Sequence, residues 1–357
     1  MLSPAVKIVS AVNAAIDQVM EERANALRAL SSHAPRLMEP IVRMTAGGKR
    51  TRALATWWGF EIGQGSSATT PGIERIAASV ELFHAAALIH DDIIDGSETR
   101  RGMPAVHAEF RSEHRAAGAG GSSERYGVSA AVIAGDLCLS LSEQLYAASG
   151  LPTLGDARVL AAHDEFRQEV MLGQYLDLRL EATPVAAADI EAAALEVLTL
   201  KSAKYSVEQP FVLGAALAGA PAELLEGLSG FGLPLGRAFQ MRDDVLGIFG
   251  DPAVTGKPAG DDLVEGKKTV LVGLALEALD RQESDWFLAR LGGSDLTPQE
   301  LSRMTALLRD SGALGALEAR IDAEYDSAMA ALDLLGLDPA DDRLLRTYAR
   351  QLVRREV

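Results

Sequence analysis

Residues 88–102 read LIHDDIIDGSETRRG and place carboxylates where a helical period calls for apolar side chains. On a helix Asp91 and Asp95 are four apart and share a face, with Asp92 beside them. Like charges at that spacing repel by roughly a few tenths of a kcal/mol unless something neutralises them. A hard divalent cation does so naturally: carboxylate oxygens suit Mg²⁺, which keeps waters and takes phosphate oxygens as further ligands. Arg100 and Arg101 follow within one loop, and arginine suits bidentate phosphate contact. Leu88, Ile89, Ile93 and Ile94 surround the aspartates, which argues against a simple solvated acidic face.

A second assembly lies at 239–269, FQMRDDVLGIFGDPAVTGKPAGDDLVEGKKT. Asp243 and Asp244 stand near the end of an apolar helix, and Lys257, Lys267 and Lys268 follow among glycines that let backbone bring ammonium groups onto a diphosphate. A third stretch, TAGGKRTRA at 45–53, crowds Lys49, Arg50 and Arg52 behind two glycines. The chain has 34 Lys and Arg against 50 Asp and Glu, a formal charge of −16, so basic clusters are scarce and this one reads as an anion site. The same charge argues against a nucleic-acid partner. His84 lies in the apolar turns before Asp91 and by itself reads as a core histidine bonded to backbone. Two carboxylate clusters in one helical chain suggest a facing pair around a bound polyanion.

The elements that must hold these groups are helical. Hydrophobic residues make up 48% of 357 and aromatics only 5%; apolar residues recur at three- and four-residue spacing, with no convincing alternating β-branched run. Breakers such as Pro71-Gly72, Thr183-Pro184 and Gly336 to Pro339 punctuate the pattern, and Thr297-Pro298-Gln299-Glu300 is a capping-box helix start. The expectation is all-α: one domain over 1–357, a bundle of about ten or more helices. Polar, Gly/Ser-rich 111–127 is expected to be a mobile surface loop inserted in it. The lone Cys138 excludes an internal disulfide and suits a reducing compartment. No run of about 18 uninterrupted apolar residues and no cleavable leader pattern is found, so the reading is a cytoplasmic protein without an integral membrane segment.

Taken together, these motifs, in order from GGKRTR at 47–52 to GKKT at 266–269, resemble the trans-isoprenyl (polyprenyl) diphosphate synthases, and within them a geranylgeranyl diphosphate synthase most. The resemblance implies an all-α isoprenoid-synthase fold around a deep apolar cavity, a homodimer, and Mg²⁺ at three ions per site. It makes Asp91, Asp92 and Asp95 the first metal motif, and Asp243 and Asp244 the start of the second. It gives Arg100, Lys201, Ser202, Gln240, Lys257 and Lys267 to the allylic diphosphate, and Lys49, Arg52, His84 and Arg101 to isopentenyl diphosphate. Of these, Asp91, Asp92, Asp95, Arg100, Lys201, Asp243 and Lys257 would carry catalysis. Three positions depart from the pattern. Gly247 replaces the third aspartate of the second motif, Lys201-Ser202 replaces a Lys-Thr pair, and Ala53 replaces a proline. If the family geometry holds, Gly247→Asp should be tolerated.

The implied reaction is head-to-tail condensation. The allylic carbon–oxygen bond ionises, the isopentenyl double bond attacks the cation, and a proton is lost to give a longer trans-allylic diphosphate. No nucleophile–base pair is evident, in keeping with a route that needs no covalent intermediate. In the family, bulky residues four or five positions before the first aspartate stop the product at fifteen carbons; here those are Ala87 and Ala86, and the next large residue on that face is Phe83. One helical turn, about 5.4 Å, is roughly one isoprene unit, so a twenty-carbon product, geranylgeranyl diphosphate, is expected. The alternatives are a farnesyl or longer-chain synthase, a terpene cyclase, and a non-catalytic subunit of a heteromeric synthase.

Overall fold

The computed structural model describes residues 3–65, 70–250, 260–293 and 295–354. Lys257, one of the residues expected to hold diphosphate, lies outside them. Apart from one two-stranded hairpin, the described chain is helical. It divides into two compact units, each described by itself.

The first unit contains α1 (Ser3–Leu30), α2 (Ala34–Thr45), α3 (Thr51–Gln64), α4 (Ile73–Ile94), the hairpin β1 (Thr99–Arg100) and β2 (Met103–Pro104), α5 (Val106–Ala116) and α6 (Ser123–Ala147), together with Leu213–Ala220. At its centre is α4, packed against α1, α3 and α6. Ile76, Ala77, Leu82, Ala86 and Ile89 are completely or almost completely enclosed, and burying such side chains is the main stabilising contribution. The hairpin, too short to show as a strand pattern, pairs Thr99 with Pro104 and Arg100 with Met103. Arg101 (φ 54°) and Gly102 (φ 74°) form its turn, both left-handed as a two-residue hairpin connection requires.

The loop expected over 111–127 is corrected: α5 runs to Ala116 and α6 starts at Ser123, so only 117–122 is non-helical. Composition misleads there because tertiary pairs supply what it lacks. Arg111 pairs with Glu98 and Glu124, Arg115 bonds Glu124 (2.6 Å), and the Ser122 hydroxyl accepts from Arg125 N–H to cap α6. By length and composition α6 could cross a membrane, with mean hydropathy 1.3 over its best 18-residue window. Its inner face, including Ala131, Ala134, Cys138 and Leu141, is nevertheless fully buried, and Ser142 donates to Ser79 O on α4 (2.8 Å). Burial pushes the Cys138 thiol up to about 12, so it is inert at neutral pH.

The second unit spans Ala161–Val212 and the chain from Pro221. It contains most of α7 (Ala157–Ala182), then α8 (Ala187–Val197), a π-helical stretch Leu198–Glu208 and the start of α9 (Gln209–Leu217). After these come α10 (Ala222–Phe249), α11 (Asp261–Glu265), α12 (Val270–Ala278), α13 (Arg281–Arg290), α14 (Pro298–Asp310), α15 (Ala313–Leu334) and α16 (Pro339–Val353). The expected capping box at Thr297 and Glu300 is present. Eleven π-helical residues are unusual, since most π-helix is a single-turn bulge at functional sites. Backbone packs directly on this widened segment: a Cβ at Gly173 of α7 would collide with Lys201 N, and one at Gly236 of α10 with Ala203 O.

Candidate active site

In the first unit Asp91 and Asp95 remain one helical turn apart, Asp95 N–H donating to Asp91 O (2.8 Å), and both are half-buried. Asp92 is different: it is fully enclosed, and Arg100 of β1 holds it through two bonds to Oδ1, one of them from Nε at 2.8 Å. Arg100 also lies 3.5 Å from Asp91. Burial pushes the Asp92 carboxyl up, against the hydrogen bond and charge of Arg100. Its Oδ2 is buried with no hydrogen-bond partner.

Beside this cluster the GGKRTR segment makes a tight turn with left-handed residues Gly47, Gly48 and Arg50. Lys49 is exposed and Arg52 half-buried in the first turn of α3. Arg101 reaches back to the same turn: its Nη1 lies 3.5 Å from Met44 O, and a Cβ at Gly48 would sit 3.7 Å from its Nη2. His84 of α4 is held well below the usual histidine range by burial first, then by Arg52, Arg101, Arg100 and Arg50. Arg52 and Arg101 thus stand about His84 in one unit, with Lys49 exposed on the adjoining turn, and the shift favours the neutral imidazole. Sequence reasoning missed Glu81, whose carboxylate is buried against Arg50 (3.3 Å). An acidic residue one turn before His84 in the apolar run SVELFHAAALI was the available signal.

In the second unit Asp243 and Asp244 lie near the end of α10. Gln240 Nε2 donates to Asp244 Oδ1 (2.9 Å). Burial, then Asp262 and Asp243, push Asp244 up to about 7, against the Gln240 bond and Lys267. Asp262 also changes the meaning of Gly247. A Cβ at 247 would collide with the Asp262 Oδ2 atom, so the space where the family's third aspartate would begin already holds a carboxylate from α11. The atom in the way is the free end of a side chain, so Gly247→Asp requires the Asp262 carboxylate to swing aside and no backbone to move. Lys267 pairs with Glu265 (2.5 Å) and lies 3.6 Å from Asp262. Lys201, on the π-helical stretch with Ser202, pairs with Asp177 at 2.6 Å. Lys268 serves the fold, donating to Leu180 O (2.6 Å) at the C-terminal end of α7.

Among the described residues no three His, Cys, Asp or Glu groups close on one metal position. Mg²⁺ takes one or two carboxylates completed by waters and phosphate oxygens. The unpartnered Asp92 oxygen, and Asp244 raised by burial and then by Asp262 and Asp243, are donors that a divalent cation would relieve.

A helical fold carrying two aspartate-rich motifs and a basic cluster is the pattern of a prenyl-transferring enzyme. Residues 34–308 match the polyprenyl synthetase family, and the chain belongs to it: it is a polyprenyl diphosphate synthase, a trans-prenyltransferase. The chain is 35% identical over 301 residues to geranylfarnesyl diphosphate synthase of Aeropyrum pernix (83% of this chain, 86% of the relative). It is 32% identical over 290 residues to geranylgeranyl diphosphate synthase of Sulfolobus acidocaldarius (78% and 79%). A crystal structure of geranylgeranyl pyrophosphate synthase from Corynebacterium glutamicum, complexed with isoprenyl diphosphate and magnesium, superposes with a TM-score of 0.91 at 36% identity, covering 98% of this chain and 99% of that one.

Proposed function

We propose that the protein condenses isopentenyl diphosphate head to tail with an allylic diphosphate and releases geranylgeranyl diphosphate. The observation that carries this reading is the basic cluster about His84, chiefly Arg52 and Arg101, with Lys49 on the adjoining turn, in the unit that holds the first aspartate motif. A terpene cyclase, which takes one diphosphate, has no use for it. Because the imidazole of His84 is neutral, it donates one N–H to a phosphate oxygen while the three cations neutralise charge.

Arg100, Lys201, Ser202, Gln240, Lys257 and Lys267 are assigned to the allylic diphosphate. Lys201 and Lys267 are held by carboxylates until a ligand takes them over, and Arg100 likewise by Asp92. Asp91, Asp92 and Asp95, with Asp243 and Asp244, would hold Mg²⁺, three ions per site. Asp92 also fixes Arg100 through its other oxygen. Bound Mg²⁺ would neutralise the departing diphosphate and so favour ionisation. Protein side chains then keep the departing diphosphate in place and exclude water from the allylic cation. We assign the lost proton to an oxygen of the departing diphosphate.

For product length we assign Phe83 as the floor, with Ala86 and Ala87 leaving room above it; Phe83 is 2% exposed and Ala86 fully enclosed. A twenty-five-carbon product is the second reading, favoured by the geranylfarnesyl diphosphate synthase relative. We read the chain as one cytoplasmic catalytic domain, supported by a single family match running across both compact units. The homodimer assignment is supported by exposed apolar rows on α6 (Val128, Val132, Ile133) and α7 (Met171, Leu172, Tyr175, Leu178). The deciding experiment is incubation with Mg²⁺, isopentenyl diphosphate and each allylic primer, then chromatography of the dephosphorylated products. A twenty-carbon alcohol is expected. Cyclised hydrocarbon formed without isopentenyl diphosphate would refute the reading.

A further inference from the structure

We propose that the buried Arg50–Glu81 pair is the positioning device of the isopentenyl diphosphate pocket, with Glu81 acting as the remote cap of α3. This rests on the pocket assignment above, in which Arg50 and Glu81 have no part.

The argument begins with a backbone problem. Lys49 and Arg52 flank the start of α3, and the residue at its N-cap position is Arg50, in the left-handed region (φ 53°, ψ 37°). A non-glycine residue there is uncommon and persists when its surroundings hold it. Its side chain makes no cap bond to its own helix, so the first N–H groups of α3 need another acceptor. Glu81 provides it from α4: its Oε1 accepts from Ala53 N–H at 3.1 Å. Its other oxygen, Oε2, accepts from Arg50 Nη1 at 3.3 Å. One carboxylate therefore fixes both the helix start and the residue that turns the chain into it.

Arg50 completes the lock. Its Nη2 donates to Thr45 O at the end of α2 (2.6 Å), and its Nε to Asn13 Oδ1 on α1 (3.0 Å). Four helices thus meet at one guanidinium, and both side chains of the pair are only 7% exposed. Arg50 is consequently enclosed, while Lys49 on one side is exposed and Arg52 on the other half-buried. Glu81 and His84 are three residues apart on α4 and so share a face. The turn of α4 that anchors the loop is the turn that presents the imidazole. The pair therefore sets the distance between the pocket's loop residues and its histidine. Glu81 also places one negative charge among Arg50, Arg52, Arg100 and Arg101, which eases their crowding in the absence of ligand.

Breaking a buried pair on one side leaves an uncompensated charge, whereas replacing both partners by apolar groups is often neutral for stability. The informative variant is therefore Arg50→Met with Glu81→Leu, which can fold yet lacks the clamp, with Arg50→Lys as the conservative variant retaining charge. The measurements are thermal melting, and KM for isopentenyl diphosphate and for the allylic primer, with Arg52→Ala alongside. The expected result is a double variant that melts cooperatively, has its isopentenyl diphosphate KM raised about tenfold, and keeps its allylic KM within about twofold. Arg50→Lys should fall between it and the parent. A folded double variant with unchanged isopentenyl diphosphate KM overturns the proposal, as does an equal rise in both KM values. If the double variant does not fold, Arg50→Lys decides by the same criterion. Arg52→Ala separates the levels: failure of that variant to raise the isopentenyl diphosphate KM selectively refutes the pocket assignment itself. A selective effect of Arg52→Ala with none from the pair refutes only the positioning role.

Discussion

Asp92 and Asp244 are each the second residue of an aspartate pair on a long helix, and burial pushes both carboxyls up, yet their neighbours differ. Asp92 is completely buried with one oxygen bonded to a guanidinium and the other without a hydrogen-bond partner. Asp244 is pushed up to about 7 by burial and then by two further carboxylates, Asp262 and Asp243, with an amide as its direct partner. The same dipeptide thus makes a guanidinium-held anchor in one unit and a cluster of carboxylates in the other. What matters is the side chain brought from elsewhere in the fold: Arg100 in the first case, Asp262 in the second.

The largest expected effect separates Asp91 from Asp92. Asp91→Ala and Asp243→Ala should each lower kcat about 10³-fold or more, since metal-assisted charge neutralisation contributes several kcal/mol to the transition state. Their melting temperatures should be little changed, because each is half-buried and stands beside another carboxylate, Asp92 and Asp244 respectively. Asp92→Ala should lose activity and also stability, by about 3 kcal/mol, because it removes the enclosed carboxylate that holds the partly buried Arg100. Equal melting curves for Asp91→Ala and Asp92→Ala would erase the contrast.

Gly247 tests the other side of the comparison. Gly247→Asp must drive the Asp262 carboxylate out of the space it fills and adds a charge beside Asp244. Because only the end of a side chain must move and Gly247 is half-buried, the metal-free protein should lose less than about 1 kcal/mol, measured by denaturant unfolding. Adding Asp262→Ala to Gly247→Asp should recover most of that small loss. A loss above about 2 kcal/mol in the single variant would show that Asp262 cannot move aside.

A smaller, selective effect is expected on substrate binding. Arg52→Ala should raise the isopentenyl diphosphate KM roughly tenfold and leave the allylic KM nearly unchanged, and Lys201→Ala should do the reverse or lower kcat, as loss of one charge-assisted bond implies. Identical effects of the two variants on both substrates would show that the two sets of residues do not divide the diphosphates as assigned.

How much of this was readable in the sequence depended on whether a residue's role was local. The aspartate motifs stood out because carboxylates interrupt an apolar helical period, and the capping box at Thr297 because its four residues suffice to make it. Glu81 and Arg50 did not stand out as a pair: 31 residues separate them, and a glutamate on a helix ordinarily faces water. The π-helical stretch was hidden as well, since LTLKSAKYSVE carries no mark of the backbone approaching it at Gly173 and Gly236. Composition misled at 111–127 because Arg111 gains its partners from Glu98 and Glu124. Asp262 could be read as a basic-loop neighbour but not as the occupant of the space at Gly247.

The smallest expected effect is on rate, though not on product. The growing tail is assigned to run beside α4, away from Asp91, toward Phe83. Ala87 is half-buried whereas Ala86 is completely enclosed. A phenylalanine at 86 therefore overpacks the core whatever it does to the product, and the cleaner test is Ala87→Phe. It should shorten the main product from twenty carbons to fifteen with the condensation rate changed only about twofold, because the reacting atoms are untouched. Phe83→Ala removes the floor and should admit a further isoprene unit, one helical turn of about 5.4 Å deeper. It should also lower stability by about 3–5 kcal/mol, the usual loss for a buried phenylalanine, so products are best compared well below its melting temperature. If chromatography shows an unchanged twenty-carbon product for both variants, side chains on other helices set the length, and the floor is not on α4.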